Sequence, residues 1–121
     1  MRGALDTRGY ETWIYESGGE IAGFALLGAG DWLWEVRQLV AKHPRRGIGA
    51  FAMRHAISRA FEAGADRIFL EVVAENAGAR ALYERFGFVQ EGCYRGGYRN
   101  DDGSYADLIP YGLLRSELPS P

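Results

Sequence analysis

One short segment in the second half of this 121-residue chain is apolar almost without interruption. Between residues 66 and 73 the apolar side chains follow one another closely, whereas a strand with one face in water would alternate apolar and polar residues. Such a run is typical of a strand buried on both faces, as in a parallel pair bridged by a helix. The segment therefore favours an α/β fold.

The flanking segments have the periodicities that such a fold needs. Alternating or β-branched stretches separated by glycine-rich turns predict three earlier strands, over residues 11–16, 21–27 and 32–41. Apolar residues at helical spacing predict one helix over residues 47–63 and another from Asn76 to Gly87. Alternation in the last third, residues 88–114, predicts an antiparallel hairpin. The order predicts a single domain, residues 1–121, on a mixed sheet.

Composition excludes several classes of function. A formal net charge of −2 argues against broad electrostatic capture of nucleic acid. Cys93 is the only cysteine, so it forms no intrachain disulfide, and with two distant histidines it makes no zinc ligand set. The sequence shows neither a signal-peptide pattern nor an apolar run of membrane-spanning length. We therefore expect a cytoplasmic protein without a metal, a nucleic-acid partner or a membrane partner.

The junction between the third strand and the first helix carries the first chemical signal. The helix opens on Gly47-Ile48-Gly49-Ala50, directly after Arg45 and Arg46. The first turn of a helix presents unpaired N–H groups, and glycines let a phosphate approach them closely. This pattern predicts a diphosphate site. The same residues also fit a dinucleotide fingerprint, with Glu71 as the ribose-binding acid, or a turn that only packs a helix on a sheet.

A second motif lies in the second predicted helix. Its spacing resembles the N-x-x-A-x-x-L-Y-x-x-x-G-F signature of the GNAT superfamily of N-acetyltransferases, and the matching residues are Asn76, Ala79, Leu82, Tyr83, Gly87 and Phe88. The resemblance covers residues 11–114, and the tail resembles the branch that acetylates protein N-termini, polyamines and other small amines. It implies a mostly antiparallel mixed sheet with one central parallel strand pair that splays apart.

The resemblance also implies a site for acetyl-CoA between the splayed strands, residues 32–41 and 66–73. Leu39 and Val40 would offer backbone groups to the pantetheine arm and the thioester carbonyl. The loop Arg45-Arg46-Gly47-Ile48-Gly49-Ala50 would hold the diphosphate. Asn76 would hydrogen-bond the cofactor arm, and Tyr83 would stand beside the sulfur. Strict alternation along the third strand predicts that Leu39 shares a sheet face with Glu35.

Two departures from the family pattern affect these expectations. Pro44 stands where the family usually has Gln or Arg, and the loop is about one residue short. The strand and two helices that usually precede the equivalent of Glu11 have no counterpart of that length here. Another chain then supplies that wall, or the acceptor pocket is open, or the chain is a fragment. Because exposed apolar strands are usually paired or covered, we expect a homodimer.

The chemistry of amide formation assigns the remaining roles. An alkylamine with a pKa of about 10 must lose a proton before it attacks, and Glu35 is the candidate base, with Glu71 as substitute. Glu35 also suits a salt bridge with Arg37. The Val40 N–H would stabilise the oxyanion, and Tyr83 would donate a proton to the departing thiolate, although its position also suits core packing.

These roles describe an N-acetyltransferase that moves acetyl from acetyl-CoA to a primary amine, either a protein N-terminus or a small amine, by direct attack in a ternary complex. Two alternatives stay open. One is a module that binds acetyl-CoA without acceptor turnover, and the other is a nicotinamide-dinucleotide-binding protein.

Overall fold

The computed structural model describes residues 1–5, 9–43 and 47–118. The elements, in chain order, are β1 (Arg2–Leu5), β2 (Tyr10–Ser17), β3 (Glu20–Gly28), β4 (Leu33–Ala41), α1 (Ile48–Glu62), β5 (Arg67–Val73), α2 (Ala77–Arg85), β6 (Val89–Gln90), β7 (Tyr94–Arg99) and β8 (Tyr105–Leu114), followed by a 3-10 turn at Arg115–Glu117. All eight strands form one sheet in the order β1-β2-β3-β4-β5-β8-β6, with β7 also paired to β8. The predicted mixed α/β sheet is confirmed.

The β4–β5 pair is parallel, and the strand pairs that surround it are antiparallel. Pairing joins Leu33 to Arg67, Trp34 to Ile68 and Glu35 to Phe69, and stops there. Both strands nevertheless continue, β4 to Ala41 and β5 to Val73. The two strands therefore part beyond Glu35, which confirms the predicted splayed pair and leaves a gap in the sheet.

Local sequence explains both helix starts. Gly47 has a φ of 77°, a conformation that a side chain would strain, and it turns the chain into α1. Asn76 caps α2, because its Oδ1 accepts a hydrogen bond from the Ala79 N–H at 3.1 Å. Gly87, with a φ of 94°, follows the end of α2.

Both helices pack on one face of the sheet. The core there joins the apolar side of α1, including Met53 and Phe61, to alternate residues of β5 and β8 such as Ile68 and Tyr111. The other face carries half-buried apolar side chains, and no helix lies on it within the described ranges. We call this the helix-free face; its members include Ile14, Phe24, Leu26, Leu33 and Phe69.

The helix-free face corrects the prediction for β5. The sequence predicted a strand buried on both faces, but only Ile68, Leu70 and Val72 enter the core. Phe69 is half-buried on the opposite face and Glu71 is exposed there. The parallel pairing was predicted correctly. The prediction that a second layer covers the other face of β5 was wrong for the described residues.

Ahead of β2 the sequence predicted no strand, and the structure has one. β1 pairs with β2 in antiparallel register, from Arg2 opposite Ile14 to Leu5 opposite Glu11. Its four residues are too few for alternation to be recognised, so pairing with β2 defines the strand.

Candidate active site

A cavity of about 700 Å³ lies between the end of β4, the first turn of α1 and the length of α2. Small residues dominate its walls, so it has space for an extended ligand. The described lining residues are Leu39, Ala41, Gly47, Gly49, Ala50, Gly78, Ala79, Ala81, Leu82, Tyr83 and Arg85. The cavity therefore brings together both sequence motifs, the glycine turn and the Tyr83 helix.

A β-bulge in β4 changes which side chains face this cavity. Leu26 pairs with Gln38 and Leu27 with Val36, so Arg37 is an extra residue on β4. Beyond it the alternation is shifted by one residue. Leu39 consequently packs against the core, on the face opposite Glu35. The predicted sharing of a face by Leu39 and Glu35 was therefore wrong, because strict alternation ignores a bulge.

The same strand fixes the direction of its backbone groups. The Lys42 N–H donates to the Ala22 carbonyl of β3 at 2.7 Å. Because backbone groups alternate along a strand, the Val40 N–H also points toward β3, whose Phe24 lies directly opposite. The N–H groups of Leu39 and Ala41 point the other way, toward the gap. The two donors that face the gap are thus the N–H groups of Leu39 and Ala41, on either side of Val40, the residue named from the sequence.

The first turn of α1 has the features of an anion site. The first hydrogen bond within the helix runs from the Phe51 N–H to the Gly47 carbonyl at 2.9 Å. The N–H groups of Ile48, Gly49 and Ala50 precede it and have no partner inside the helix. The first turn contains no acidic residue. Arg45 and Arg46, predicted to stand beside these groups, and Pro44 lie outside the described residues.

Tyr83 packs against the core and also lines the cavity. The ring meets Tyr111 and Phe88 edge to face, with centroid distances of 6.0 and 6.2 Å. No described group hydrogen-bonds its hydroxyl. Burial raises the pKa of the Tyr83 phenol, so the group keeps its proton well above neutral pH. The geometry accommodates both the packing role and the proposed acid role.

The Tyr111 ring, which contacts Tyr83, is held in place by a polar network that the sequence gave no reason to expect. The Tyr111 hydroxyl donates to Glu84 Oε2 at 2.7 Å and accepts from Arg80 Nε at 3.0 Å. Arg80 also donates to the Ala74 carbonyl at 3.1 Å. The network ties α2 to β8 across 31 positions of sequence, a separation at which no local pattern signals a contact.

The structure does not bring Glu35 and Tyr83 together on one face. Glu35 closes the β4–β5 ladder and points to the helix-free face, where its Oε1 lies 3.6 Å from Arg37 Nη1. Its side chain is 18% exposed. Glu71 is on the same face, two residues beyond Phe69, the partner of Glu35. Both carboxylates therefore flank the gap on the side opposite the cavity.

Asn76 is exposed at the start of α2 and is not among the described residues that line the cavity. Its side-chain oxygen is engaged by the helix cap, and its amide N–H₂ group is the part left to meet a ligand. Its contact with a cofactor arm stays a prediction.

Comparison with known proteins identifies the family. The model of the acetyltransferase (GNAT) family matches residues 2–88. The chain belongs to the GNAT family. It is 38% identical to the streptothricin acetyltransferase of Streptomyces lavendulae over 75 residues, 59% of this chain and 40% of that protein. It is also 38% identical to the [ribosomal protein bS18]-alanine N-acetyltransferase of Escherichia coli K12 over 67 residues, 55% of this chain and 45% of that protein.

Solved structures show the same fold. The ribosomal-protein-S18-alanine N-acetyltransferase of Escherichia coli superimposes with a TM-score of 0.82 at 26% identity, over 96% of this chain and 74% of that one. A GNAT acetyltransferase of Elizabethkingia anophelis, solved with acetyl-CoA bound, superimposes with a TM-score of 0.77 at 17% identity, over 88% and 76%. The matched segment spans less than half the length of the curated relatives.

The GNAT domain has walls that fit acetyl-CoA. Glycine and alanine leave space for a narrow, flexible arm, and the N–H groups at the start of α1, which have no partner inside the helix, suit a diphosphate. Within the part of the chain that the structure describes, no three His, Cys, Asp or Glu side chains form a metal-binding group. None of its described helices has the length and apolar character needed to cross a membrane.

Proposed function

We propose that this GNAT domain transfers the acetyl group of acetyl-CoA to a primary amine by direct attack in a ternary complex. One observation carries the proposal: the gap between β4 and β5 joins two different surfaces. On one side lies the cavity with the α1 N-terminus and Tyr83. On the other lies the helix-free face with Glu35 and Glu71. A thioester in the gap is reachable from both sides.

On the cavity side, the chain supplies groups for each part of the cofactor. The N–H groups at Gly47-Ile48-Gly49-Ala50, with Arg45 and Arg46, bind the diphosphate. The backbone of Leu39 and Val40 lies along the pantetheine arm, and Asn76 donates to it. The Leu39 N–H, which faces the gap, donates to the thioester oxygen as negative charge develops there.

On the other side, a carboxylate prepares the amine. An alkylammonium ion with a pKa of about 10 cannot attack until it loses a proton, and Glu35 accepts that proton directly or through a water molecule. The neutral amine then attacks the thioester carbon. As the tetrahedral intermediate collapses, the C–S bond breaks and Tyr83 donates its phenolic proton to the thiolate. Glu71 is the alternative base.

The acceptor is a protein N-terminus or a small amine. The two named relatives support both classes, since one acts on an alanine of ribosomal protein bS18 and the other on streptothricin. No described helix covers the helix-free face, so the acceptor can reach Glu35 from that side. We also propose a homodimer in which the second copy covers part of that face, because Phe24, Leu26 and Phe69 are only half-buried there.

The proposal is tested by following thiol release from acetyl-CoA with two acceptors, a peptide with an N-terminal alanine and a small polyamine. Glu35→Gln and Glu71→Gln distinguish the two candidate bases, and we expect Glu35→Gln to lower kcat more. Binding of acetyl-CoA without thiol release for any amine would indicate a binding module instead. Preferential binding of a nicotinamide dinucleotide would contradict the assignment of the cavity.

A further inference from the structure

Arg85, in the last turn of α2, is the one charged side chain among the described residues that line the cavity. The α2 residues four and seven positions before it, Ala81 and Gly78, line the same cavity and carry almost no bulk. A helix directs a long side chain back over its preceding turn. No bulky side chain at these two positions therefore separates the Arg85 side chain from the cavity.

Two arginines contact the ring of Phe86, the residue that follows Arg85. The guanidinium carbon of Arg85 lies 5.9 Å from the centroid of Phe86, and that of Arg54, on α1, lies 5.8 Å from it. Neither arginine makes an ion pair with an acidic side chain in the described part of the chain. Only Arg85 lines the cavity. Its charge is thus available to a ligand there.

We propose that Arg85 binds the 3′-phosphate of coenzyme A and so selects acetyl-CoA over its 3′-dephospho analogue. This inference rests on the proposed function, which assigns the cofactor diphosphate to the start of α1. A Cβ on Gly49 would lie 3.6 Å from Leu82, so that start lies directly against α2. Arg85 is three residues beyond Leu82, about 4.5 Å along the helix.

The chemistry of the cofactor matches this placement. The 3′-phosphate sits on the same ribose as the 5′-diphosphate, so the two anions must bind close together. A phosphate monoester carries a charge of about −1.5 to −2 at pH 7. The C-terminal end of α2 is the negative end of its dipole and does not attract an anion by itself. A guanidinium at that end supplies the positive charge and the planar pair of N–H donors that the backbone there does not offer to an anion.

The test compares two ligands and three proteins by isothermal titration calorimetry. The ligands are acetyl-CoA and 3′-dephospho-acetyl-CoA, and the proteins are the wild type, Arg85→Gln and Arg54→Gln. Arg54→Gln is the matched control, since Arg54 also contacts the Phe86 ring but does not line the cavity. We expect the wild type to prefer acetyl-CoA by about 10-fold or more, within the range for a charge-assisted hydrogen bond. Arg85→Gln should abolish the preference, and Arg54→Gln should keep it.

The other outcomes each overturn a stated point. Equal affinity of the wild type for both ligands, or equal weakening of both ligands by Arg85→Gln, would overturn the 3′-phosphate assignment. If both variants lost the preference for acetyl-CoA to the same extent, the preference would come from general surface charge, and the 3′-phosphate assignment would again be overturned. Arg85→Lys keeps the charge without the planar pair of N–H donors, and it should retain part of the preference if Arg85→Gln does not fold. Failure of the folded wild type to bind either ligand would overturn the proposed function itself.

Discussion

Gly49, in the first turn of α1, has no side chain at the point where α1 and α2 meet. A Cβ there would lie at an ordinary contact distance, 3.6 Å, from Leu82 Cδ2. Gly49 is also not among the glycines with positive φ. Gly49→Ala should therefore fold, and alanine is favoured over glycine in a helix by up to about 1 kcal/mol. Gly49→Glu instead places a carboxylate where we propose that the diphosphate binds.

The size of the effect follows from the geometry. Two like unit charges about 5 Å apart repel by about 3 kcal/mol at an effective dielectric constant of about 20, equivalent to about 100-fold in dissociation constant. Acetyl-CoA at 100 times its dissociation constant stabilises the wild type by about 2.7 kcal/mol, and a 100-fold weaker complex by about 0.4 kcal/mol at the same concentration. For a domain of this size those values correspond to about 10 °C and about 2 °C in melting temperature.

Thermal unfolding with and without acetyl-CoA measures the difference. The wild type should show the full increase in melting temperature, and Gly49→Ala should show at least half of it. Gly49→Glu should show almost none, and NAD should stabilise none of the three. An increase in Gly49→Glu equal to that of the wild type would refute the location of the diphosphate at this turn.

Three further predictions concern the chemistry, the core and the assembly. Tyr83→Phe keeps the ring packing, so kcat should fall by about 100-fold with acetyl-CoA affinity little changed, whereas an undiminished kcat would leave Tyr83 as a packing residue only. Burial would raise the pKa of Glu11, but hydrogen bonds from Arg59 and Trp13 outweigh it and lower that pKa from its ordinary 4.5. The pair therefore stabilises the fold above pH 4.5, and this stabilisation is lost as the pH falls below that value. Because the Arg59 side chain is 36% exposed, Glu11→Gln should lower the free energy of unfolding by about 2 kcal/mol in urea titrations at neutral pH, and the variant should lose less stability on acidification than the wild type. An equal loss of stability on acidification in both proteins would contradict this. Light scattering should show a dimer at micromolar concentration that Phe24→Lys dissociates, and a monodisperse wild-type monomer would refute it.

Local signals account for what the sequence predicted correctly. The turn at Gly47, the cap at Asn76 and the apolar stripe that includes Tyr83 each depend on neighbours within a few residues. They were therefore visible as motifs, and together they located the cavity. The parallel pair followed from the crossover helix that must join its strands.

Distant contacts account for what the sequence did not predict. The bulge at Arg37 is defined by pairing with β3, and it decides that Leu39 rather than Val40 presents its N–H to the gap. The partly buried Glu11–Arg59 pair joins positions 48 residues apart, and no pattern along the chain indicates it. The orientation of Glu35 away from Tyr83 depends on the same register.

The sheet itself separates the two proton transfers that the proposed reaction requires. Glu35 can take a proton only from a group on the helix-free face, and Tyr83 can give one only to a group in the cavity. No single side chain can therefore carry the proton from the amine to the sulfur, and each group must exchange its proton with solvent on its own side. Glu35 has that access through its partly exposed side chain, and Tyr83 through the cavity. The gap between β4 and β5 thus allows the amine and the thioester to meet while keeping the acid and the base on separate faces of the sheet.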